Sequence, residues 1–304
     1  MTSPVIFSSE AYSDPGKIPF AHPTVLFHGH AVDEREESAI QLGGDAVVRR
    51  VKVAYDSQTM TLKIGDGDVG ADDCCELFGK YISDANIVLE ATSMDFSELL
   101  CTIRALIELG VSRFQVLYLE PQDYSRSNHG NDLFALSELI VGYRPIPHAV
   151  VDLSSDDVEA GVFFLGYEPE RLERALEEYQ MIGSKEIKVV FGVPAFKPGW
   201  ELNSIVPHLS ILNDKSSFQV AYCAANDPGS AFDCLEETRL SLQMGNRMFV
   251  APIGTKPCGI ASAIFASLFP DQVGVLYDHP KKKEERSKGV SVGHRYVVSI
   301  QNQT

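Results

Sequence analysis

The sequence predicts an α/β fold in which strand–helix–strand units repeat and most strands are parallel. Three segments, residues 86–121, 189–228 and 247–280, each contain an apolar strand, a polar loop, a helix and a second apolar strand. In each segment the returning strand closes with acidic or amide residues shortly before a proline. This pattern is typical of parallel crossover units, which stack side by side into a doubly wound sheet.

The polar loops of the three units predict where a binding site lies. Ligands of an open α/β sheet bind in the crevice outside the carboxyl ends of its strands. We therefore expect the loops EATSMD (90–95), GVPAFKPGW (192–200) and APIGTKP (251–257) to open onto such a crevice.

The other elements follow in chain order. The N-terminal stretch MTSPVIFSSEAYSDPGKIPF lacks both the basic segment and the continuous apolar segment of a secretory leader. We expect it to be a short extended arm. Residues 22–70 predict a strand, a helix closed by glycine and two strands around a turn, and a helix is expected at about 71–83. Residues 162–181 predict a strand, a turn and an amphipathic helix.

An irregular stretch at residues 122–155 indicates a division of the chain. We expect an N-terminal α/β domain with the extended arm at residues 1–150. A C-terminal Rossmann-like domain that carries the APIGTKP loop is expected at residues 151–304.

Composition limits the function classes. The 304 residues are 44% hydrophobic and have a net charge of −16. The sequence contains no apolar run of transmembrane length, so we expect a cytoplasmic protein. The charge argues against direct binding of duplex DNA. The six cysteines form no CxxC pair, which favours buried free thiols over a metal site or a disulfide framework. His28 and His30, followed by Asp33 and Glu34, could bind a metal, but two ligands are too few to indicate a site, and no cofactor is expected.

The strongest candidate site is the third loop, which we call the GTKP loop (Gly254–Pro257). Gly254 permits close backbone approach, while Thr255 and Lys256 supply a hydroxyl and a cation just before a helix. The first N–H groups of a helix and the positive end of its dipole favour an anion there. The alternative is a structural turn with an exposed lysine.

A Gly-Thr-Lys turn between a strand and a helix resembles that of the CARF domains, nucleotide-sensing modules of CRISPR systems and other prokaryotic defence. The resemblance covers about thirty residues around Gly254, Thr255 and Lys256. It implies a Rossmann-like fold and a ligand that is a cyclic oligonucleotide or related nucleotide, often held across a dimer interface. It therefore also implies a homo-oligomer.

The other two loops offer ligand contacts as well. Trp200, with Asn203 nearby, suits stacking on a base or ring, although it could also pack at the start of the helix. Thr92 and Ser93 are ligand candidates in the first loop, and at least one of them is expected to be the helix N-cap.

Acidic strand ends and one basic loop complete the candidates. Glu90, Glu120 and Asp278 are candidate catalytic carboxylates, and acids at such ends also bind ribose hydroxyls. The ligand-binding candidates further include the following residues: Asn226, Asp227, Asp278 and, in the basic loop Lys281–Lys288, Arg286. That basic loop could neutralise a phosphate or be a solvated turn.

Three functions remain open. The first is a nucleotide-binding sensor or subunit of a prokaryotic, anti-phage type of defence system. The second is a nucleotide-processing hydrolase, similar to an N-glycosidase or deoxyribosyltransferase. The third is a scaffold subunit whose strand ends are covered by a protein partner.

Overall fold

The computed structural model describes residues 3–82, 85–126, 134, 136–214 and 217–301. The chain divides into two compact units. Unit 1 comprises Met1–Ser125 together with Lys283–Thr304, and unit 2 comprises Arg126–Lys282. This division differs from the one expected at residue 150, because the chain leaves unit 1 after residue 125 and returns to it for its last strand.

Strands and helices alternate through most of the described chain. The strands are β1 (Val5–Tyr12), β2 (Thr24–His28), β3 (Val47–Asp56), β4 (Thr61–Ile64), β5 (Gly67–Gly70), β6 (Asn86–Glu90), β7 (Arg113–Tyr124), β8 (Ser137–Ile140), β9 (Val158–Leu165), β10 (Glu186–Gly192), β11 (Gln219–Cys223), β12 (Arg247–Pro252), β13 (Val273–Val275), β14 (Pro280–Lys282) and β15 (Ser287–Ile300). The helices are α1 (Glu34–Ile40), α2 (Cys75–Gly79), α3 (Phe96–Glu108), α4 (Pro169–Glu178), α5 (Leu202–Asp214), α6 (Pro228–Ser241) and α7 (Lys256–Leu268).

Unit 1 contains an eight-stranded mixed sheet in the order β1-β15-β7-β6-β2-β3-β4-β5. Its centre, β7-β6-β2-β3, is parallel, and the strands at both edges are antiparallel. The N-terminal segment is extended, as predicted, but it is not a separate arm, because β1 pairs with β15 from Val5 to Tyr12. Val5 is the one buried residue of β1, and the others are exposed or partly exposed, as is common in a strand at the edge of a sheet.

The basic segment Lys281–Lys288 is not a single loop. Lys281 and Lys282 belong to β14, which pairs with β8, and Ser287 begins β15. Only the four residues between these two strands form the turn. The segment is short because β15 must begin there to pair with the end of β7, where Ser287 lies opposite Tyr124.

Unit 2 contains a five-stranded parallel sheet in the order β11-β10-β9-β12-β13. From β9 the chain passes through α4 to β10 and then through α5 to β11, and both strands lie on one side of β9. It then crosses through α6 to β12, on the other side of β9, and continues through α7 to β13. The direction of winding therefore reverses between β9 and β12.

The three predicted crossover units are confirmed as strand–helix–strand units with parallel strands: β6-α3-β7, β10-α5-β11 and β12-α7-β13. The first lies in the sheet of unit 1 and the other two lie in that of unit 2. The structure is thus a mixed α/β fold with parallel regions in both units.

The sheet of unit 2 is closely packed at its centre. The rings of Phe163 and Phe249 meet edge to face, with centroids 5.6 Å apart. A Cβ atom on Gly161 would lie 2.2 Å from the Phe249 ring, so only glycine fits beside it. Within the described ranges, no helix is both long enough and apolar enough to cross a membrane.

Candidate functional site

The candidate site is the rim formed by the loops at the carboxyl ends of the parallel strands of unit 2. Its centre is the point between β9 and β12 where the winding reverses. There the loops after the two strands approach each other closely. A Cβ atom on Gly166 would lie 2.7 Å from the Ile253 carbonyl oxygen, and one on Gly254 would lie 3.1 Å from the carbonyl carbon of Phe164.

The GTKP loop lies at this point and leads directly into α7. Thr255 is the N-cap residue in an extended conformation, but its side chain makes no capping hydrogen bond. Its hydroxyl donates instead to the carbonyl of Ala225, 2.8 Å away. Lys256 is the first helical residue and is partly exposed. The helix N-terminus and the lysine ammonium are therefore both at the strand rim.

Hydrogen bonds join the GTKP loop to the loops after β9, β10 and β11. Beyond the bond from Thr255, the Ala225 N–H donates to the Pro194 carbonyl at 3.0 Å, which ties the loop after β11 to that after β10. The Ser204 hydroxyl at the start of α5 donates to the Gly166 carbonyl at 2.7 Å. The structure thus links three predicted segments, the loops after β10, β11 and β12, with the loop after β9, which the sequence did not mark as part of the site.

Trp200 lies in the loop between β10 and α5 and is partly exposed. The Lys197 ammonium is 4.8 Å from the centroid of the indole ring, a cation–π arrangement. The Asn203 N–H donates to the Trp200 carbonyl at 3.0 Å, so Asn203 belongs to the first turn after the loop. The aromatic ring and the amide are both on unit 2, as is the GTKP loop.

Asp227 acts as a helix cap. Its carboxylate accepts hydrogen bonds from the N–H groups of Gly229 at 2.9 Å and Ser230 at 3.3 Å, and Pro228 is the first residue of α6. The neighbouring Asn226 is partly buried. The sequence Asp-Pro-Gly-Ser is a cap signature, because proline suits the first helical position and aspartate the N-cap.

Asp278 follows β13 and is 0% exposed. Both carboxylate oxygens are bonded by one guanidinium: Arg171 Nε donates at 2.7 Å and Nη2 at 2.5 Å. Burial by itself would lower the pKa of Arg171, but the carboxylate of Asp278 outweighs it and raises that pKa above its ordinary value. Asp278 therefore anchors α4 to the end of β13.

Glu168 and Arg171 are residues of the rim that sequence reasoning missed. Glu168 accepts hydrogen bonds from the N–H groups of Leu136 at 2.9 Å and Ser137 at 2.7 Å. The other oxygen of the Glu168 carboxylate is 3.9 Å from Arg171. The signal was the charged sequence Glu-Pro-Glu-Arg directly after a buried strand, in a position where charges are seldom buried without partners.

Two buried thiols lie beneath the GTKP loop. The sulfurs of Cys223 and Cys258 are 3.8 Å apart, and the Thr255 hydroxyl is 3.2 Å from the sulfur of Cys258. The hydrogen bond between the thiols lowers the pKa of Cys258 and, together with burial, raises that of Cys223. Among the described residues no group of three or more His, Cys, Asp or Glu side chains could hold a metal ion.

The first-loop candidates lie in unit 1 and are closed off from solvent. Glu90, Thr92 and Ser93 are each 0% exposed, so the expectation that this loop opens onto a crevice is wrong. The Glu90 carboxylate accepts from the Thr92 N–H at 2.7 Å, from the Ser93 N–H at 3.0 Å and from the Ser93 hydroxyl. Burial raises the pKa of Glu90, although these hydrogen bonds oppose the shift.

The helix cap predicted at Thr92 or Ser93 is Asp95 instead. Asp95 and Glu98 form a capping box in which each side chain accepts from the other's N–H. Thr92 and Ser93 have other partners, since the Thr92 hydroxyl accepts from the Leu119 N–H at 3.1 Å and that of Ser93 from the Gly29 N–H at 2.9 Å. These bonds join the loop to the neighbouring strands β7 and β2.

Glu120 and Arg286 also belong to unit 1. Glu120 on β7 is 2.6 Å from Nε2 of His294 on β15, and both side chains are buried. Arg286 donates to the buried Glu36 carboxylate at 2.8 Å. The candidates Glu90, Thr92, Ser93, Glu120 and Arg286 thus lie in unit 1, while the other candidates lie in unit 2.

A scan against protein-family models gives no match. A search of the curated proteins gives none either. The class that fold and rim define is therefore a two-unit mixed α/β protein with a hydrogen-bonded strand rim on unit 2.

Proposed function

We propose that unit 2 is a Rossmann-like nucleotide-binding module and that the chain is a cytoplasmic sensor or subunit of a prokaryotic, anti-phage type of defence system. The observation that carries the binding proposal is the position of the GTKP loop. It lies between β9 and β12, where the winding of the parallel sheet reverses. Ligands of open α/β sheets bind at such a switch point, outside the carboxyl ends of the strands.

The chemistry of the loop supports a phosphate-bearing ligand. The N-terminus of α7 and the Lys256 ammonium both favour an anion at the rim. The thirteen residues of α7 give it a full helix dipole. A partly exposed Trp200 at the same rim supports stacking on a base.

The burial of the carboxylates favours binding over hydrolysis. Glu90, Glu120 and Asp278 are each 3% exposed or less, and each is hydrogen-bonded to a neighbouring group of the protein. A general acid or nucleophile must reach its substrate directly or through one water. The sensor is therefore better supported than the hydrolase.

The test is mass spectrometry of small molecules released from the protein after native purification from its own host, with Lys256→Ala alongside. We expect a nucleotide in the wild type and a depleted or absent one in the variant. With the identified nucleotide as titrant, Lys256→Ala should weaken binding by about 1–3 kcal/mol, the scale of a charge-assisted hydrogen bond.

Lys185→Ala is the matched control, because Lys185 is a partly exposed lysine of unit 2 directly before β10, outside the GTKP loop and the basic segment. Equal affinity of the Lys256 variant and the wild type would refute the GTKP site. Turnover of the bound nucleotide would favour the hydrolase function over the sensor function.

A further inference from the structure

Two cysteine thiols from different elements of unit 2 lie beside each other. Cys223 is the last residue of β11, and Cys258 is the third residue of α7. Their sulfur atoms are 3.8 Å apart, although the two residues are 35 positions apart in the chain. The sulfurs of a disulfide are about 2.05 Å apart, so this pair has to approach by only about 1.8 Å to form one.

The surroundings of the Cys258 sulfur favour its thiolate form. The Cys223 thiol is placed to donate a hydrogen bond to it, and the Thr255 hydroxyl is 3.2 Å away. These hydrogen bonds lower the pKa of Cys258, although burial opposes the shift. The sulfur also belongs to the first turn of α7, where the helix dipole favours a negative charge.

The other cysteines lack this activation. All six cysteines lie in the described part of the chain, and Cys258 is the one whose pKa is lowered. Burial is the main cause that raises the pKa of four others: Cys74, Cys75, Cys101 and Cys234. The hydrogen bond with Cys258 raises the pKa of Cys223. Since the thiolate is the nucleophilic form of cysteine, Cys258 is the attacking thiol of the pair and Cys223 is the resolving thiol.

Only a small reagent can reach the pair. Cys223 is 5% exposed and Cys258 is 2% exposed. Both lie at the strand rim, one at the end of β11 and the other directly after the GTKP loop. Hydrogen peroxide is little larger than a water molecule, whereas glutathione disulfide is the size of a peptide. Because thiol oxidation and thiol–disulfide exchange both depend on access, we expect oxidation by a peroxide rather than exchange with a larger disulfide.

We propose that Cys223 and Cys258 are an oxidation site at which hydrogen peroxide forms a reversible disulfide. The Cys258 thiolate attacks one peroxide oxygen and becomes a sulfenic acid, while the O–O bond breaks and the other oxygen leaves with a proton as water. The Cys223 sulfur then attacks the Cys258 sulfur. The S–O bond breaks, and the hydroxyl group leaves as a second water with the proton of Cys223. Two thiols are thereby oxidised to one disulfide, and one peroxide is reduced to two waters.

The disulfide joins two segments that a hydrogen bond already holds together. Thr255, three residues before Cys258, donates to the carbonyl of Ala225, two residues after Cys223, at 2.8 Å. Oxidation therefore places a covalent bond directly beneath the GTKP loop. The reaction itself requires no nucleotide, so its test is independent of the test of the proposed function.

The test is a thiol count on the reduced full chain before and after treatment with hydrogen peroxide. After removal of the peroxide by catalase, free thiols are alkylated with N-ethylmaleimide in denaturant and counted by mass spectrometry. The wild type should fall from six free thiols to four. Peptide mapping should show a link between Cys223 and Cys258, and dithiothreitol should restore all six thiols. Six thiols after treatment, or a link between other cysteines alone, overturns the proposal.

Single variants, each checked by circular dichroism, separate the roles of the two thiols. Cys223→Ser should leave a sulfenic acid on Cys258 that dimedone traps, because the resolving thiol is absent. Cys258→Ser should keep all of its remaining thiols. A sulfenic acid that forms on Cys223 in Cys258→Ser overturns the assignment of Cys258 as the attacking thiol.

Cys234→Ser is the matched control, because Cys234 is a buried cysteine of unit 2 outside the pair. It should still lose two thiols and form the link between Cys223 and Cys258. If a variant of the pair fails to fold, the peptide map of the wild type decides the outcome by itself.

Discussion

Replacement of Asp278 by asparagine should destabilise unit 2 strongly. The change keeps the shape of the side chain but removes the charge that faces Arg171, which is itself 7% exposed. Removing one partner of a buried ion pair leaves an uncompensated buried charge and costs about 3–5 kcal/mol. We expect the lower end, about 3 kcal/mol, because Glu168 remains 3.9 Å from the Arg171 guanidinium.

The chain's single tryptophan makes this measurable in unit 2 alone. Trp200 belongs to unit 2, so its fluorescence during urea unfolding follows that unit. For a unit of roughly 150 residues, about 3 kcal/mol corresponds to a fall in Tm of roughly 6–12 °C. Glu237→Gln is the matched control, since the Glu237 side chain is exposed and the loss of its ion pair with Lys188 should cost less than about 1 kcal/mol.

The result also separates a structural role of Asp278 from a catalytic one. A carboxylate held for catalysis can be replaced by its amide without loss of stability. If Asp278→Asn unfolds at the same urea concentration as the wild type, the argument from the buried ion pair is refuted. If the double variant Asp278→Leu with Arg171→Met is as stable as the wild type, the ion pair gives no net stabilisation over apolar packing.

Two further predictions concern unit 2, with Trp200 fluorescence as the readout. Asp227→Ala should lower the free energy of unfolding by about 0.5–2 kcal/mol, because the α6 cap is lost. Asp227→Asn should keep most of the stability, because asparagine is also a good N-cap residue. Equal stability of the wild type and both variants would contradict the capping role. Burial lowers the pKa of His208 below its ordinary value of 6.5, so the unfolded chain binds a proton there that the folded one does not, and unit 2 should lose stability as pH falls below about 6.5. His208→Gln should flatten this loss between roughly pH 6.5 and 5, and an unchanged pH dependence would show that other groups cause it.

The sequence was sufficient for elements with strong local patterns. The crossover units around α3, α5 and α7 combine apolar strands, polar loops and long helices, and all three were predicted correctly. The pairing of the N-terminal segment was not predicted, because the partner of β1 is β15, nearly 300 residues away in the chain. Local propensity says little about such a pairing.

Side-chain partners were the least predictable part of the site. Thr92 and Ser93 are residue types that often cap helices, but Asp95 is the N-cap residue, because its spacing to Glu98 permits the two hydrogen bonds of a capping box. The bond between Asp278 and Arg171 joins residues 107 positions apart, so no local pattern marks it. By contrast, the repeated units predicted that the GTKP loop follows the carboxyl end of a parallel strand, and it follows β12 in the parallel sheet of unit 2, although the strand order was not predicted.

The return of the chain to unit 1 has a consequence for biosynthesis. Lys283–Thr304 belongs to unit 1, while all of unit 2 is encoded between the two parts of unit 1. On the ribosome, β1 and β7 both emerge long before β15, the strand that lies between them in the sheet. Because chains fold as they emerge, unit 2 can complete its sheet first, and the nascent unit 1 exposes an unpaired β7 edge until the last strand is made.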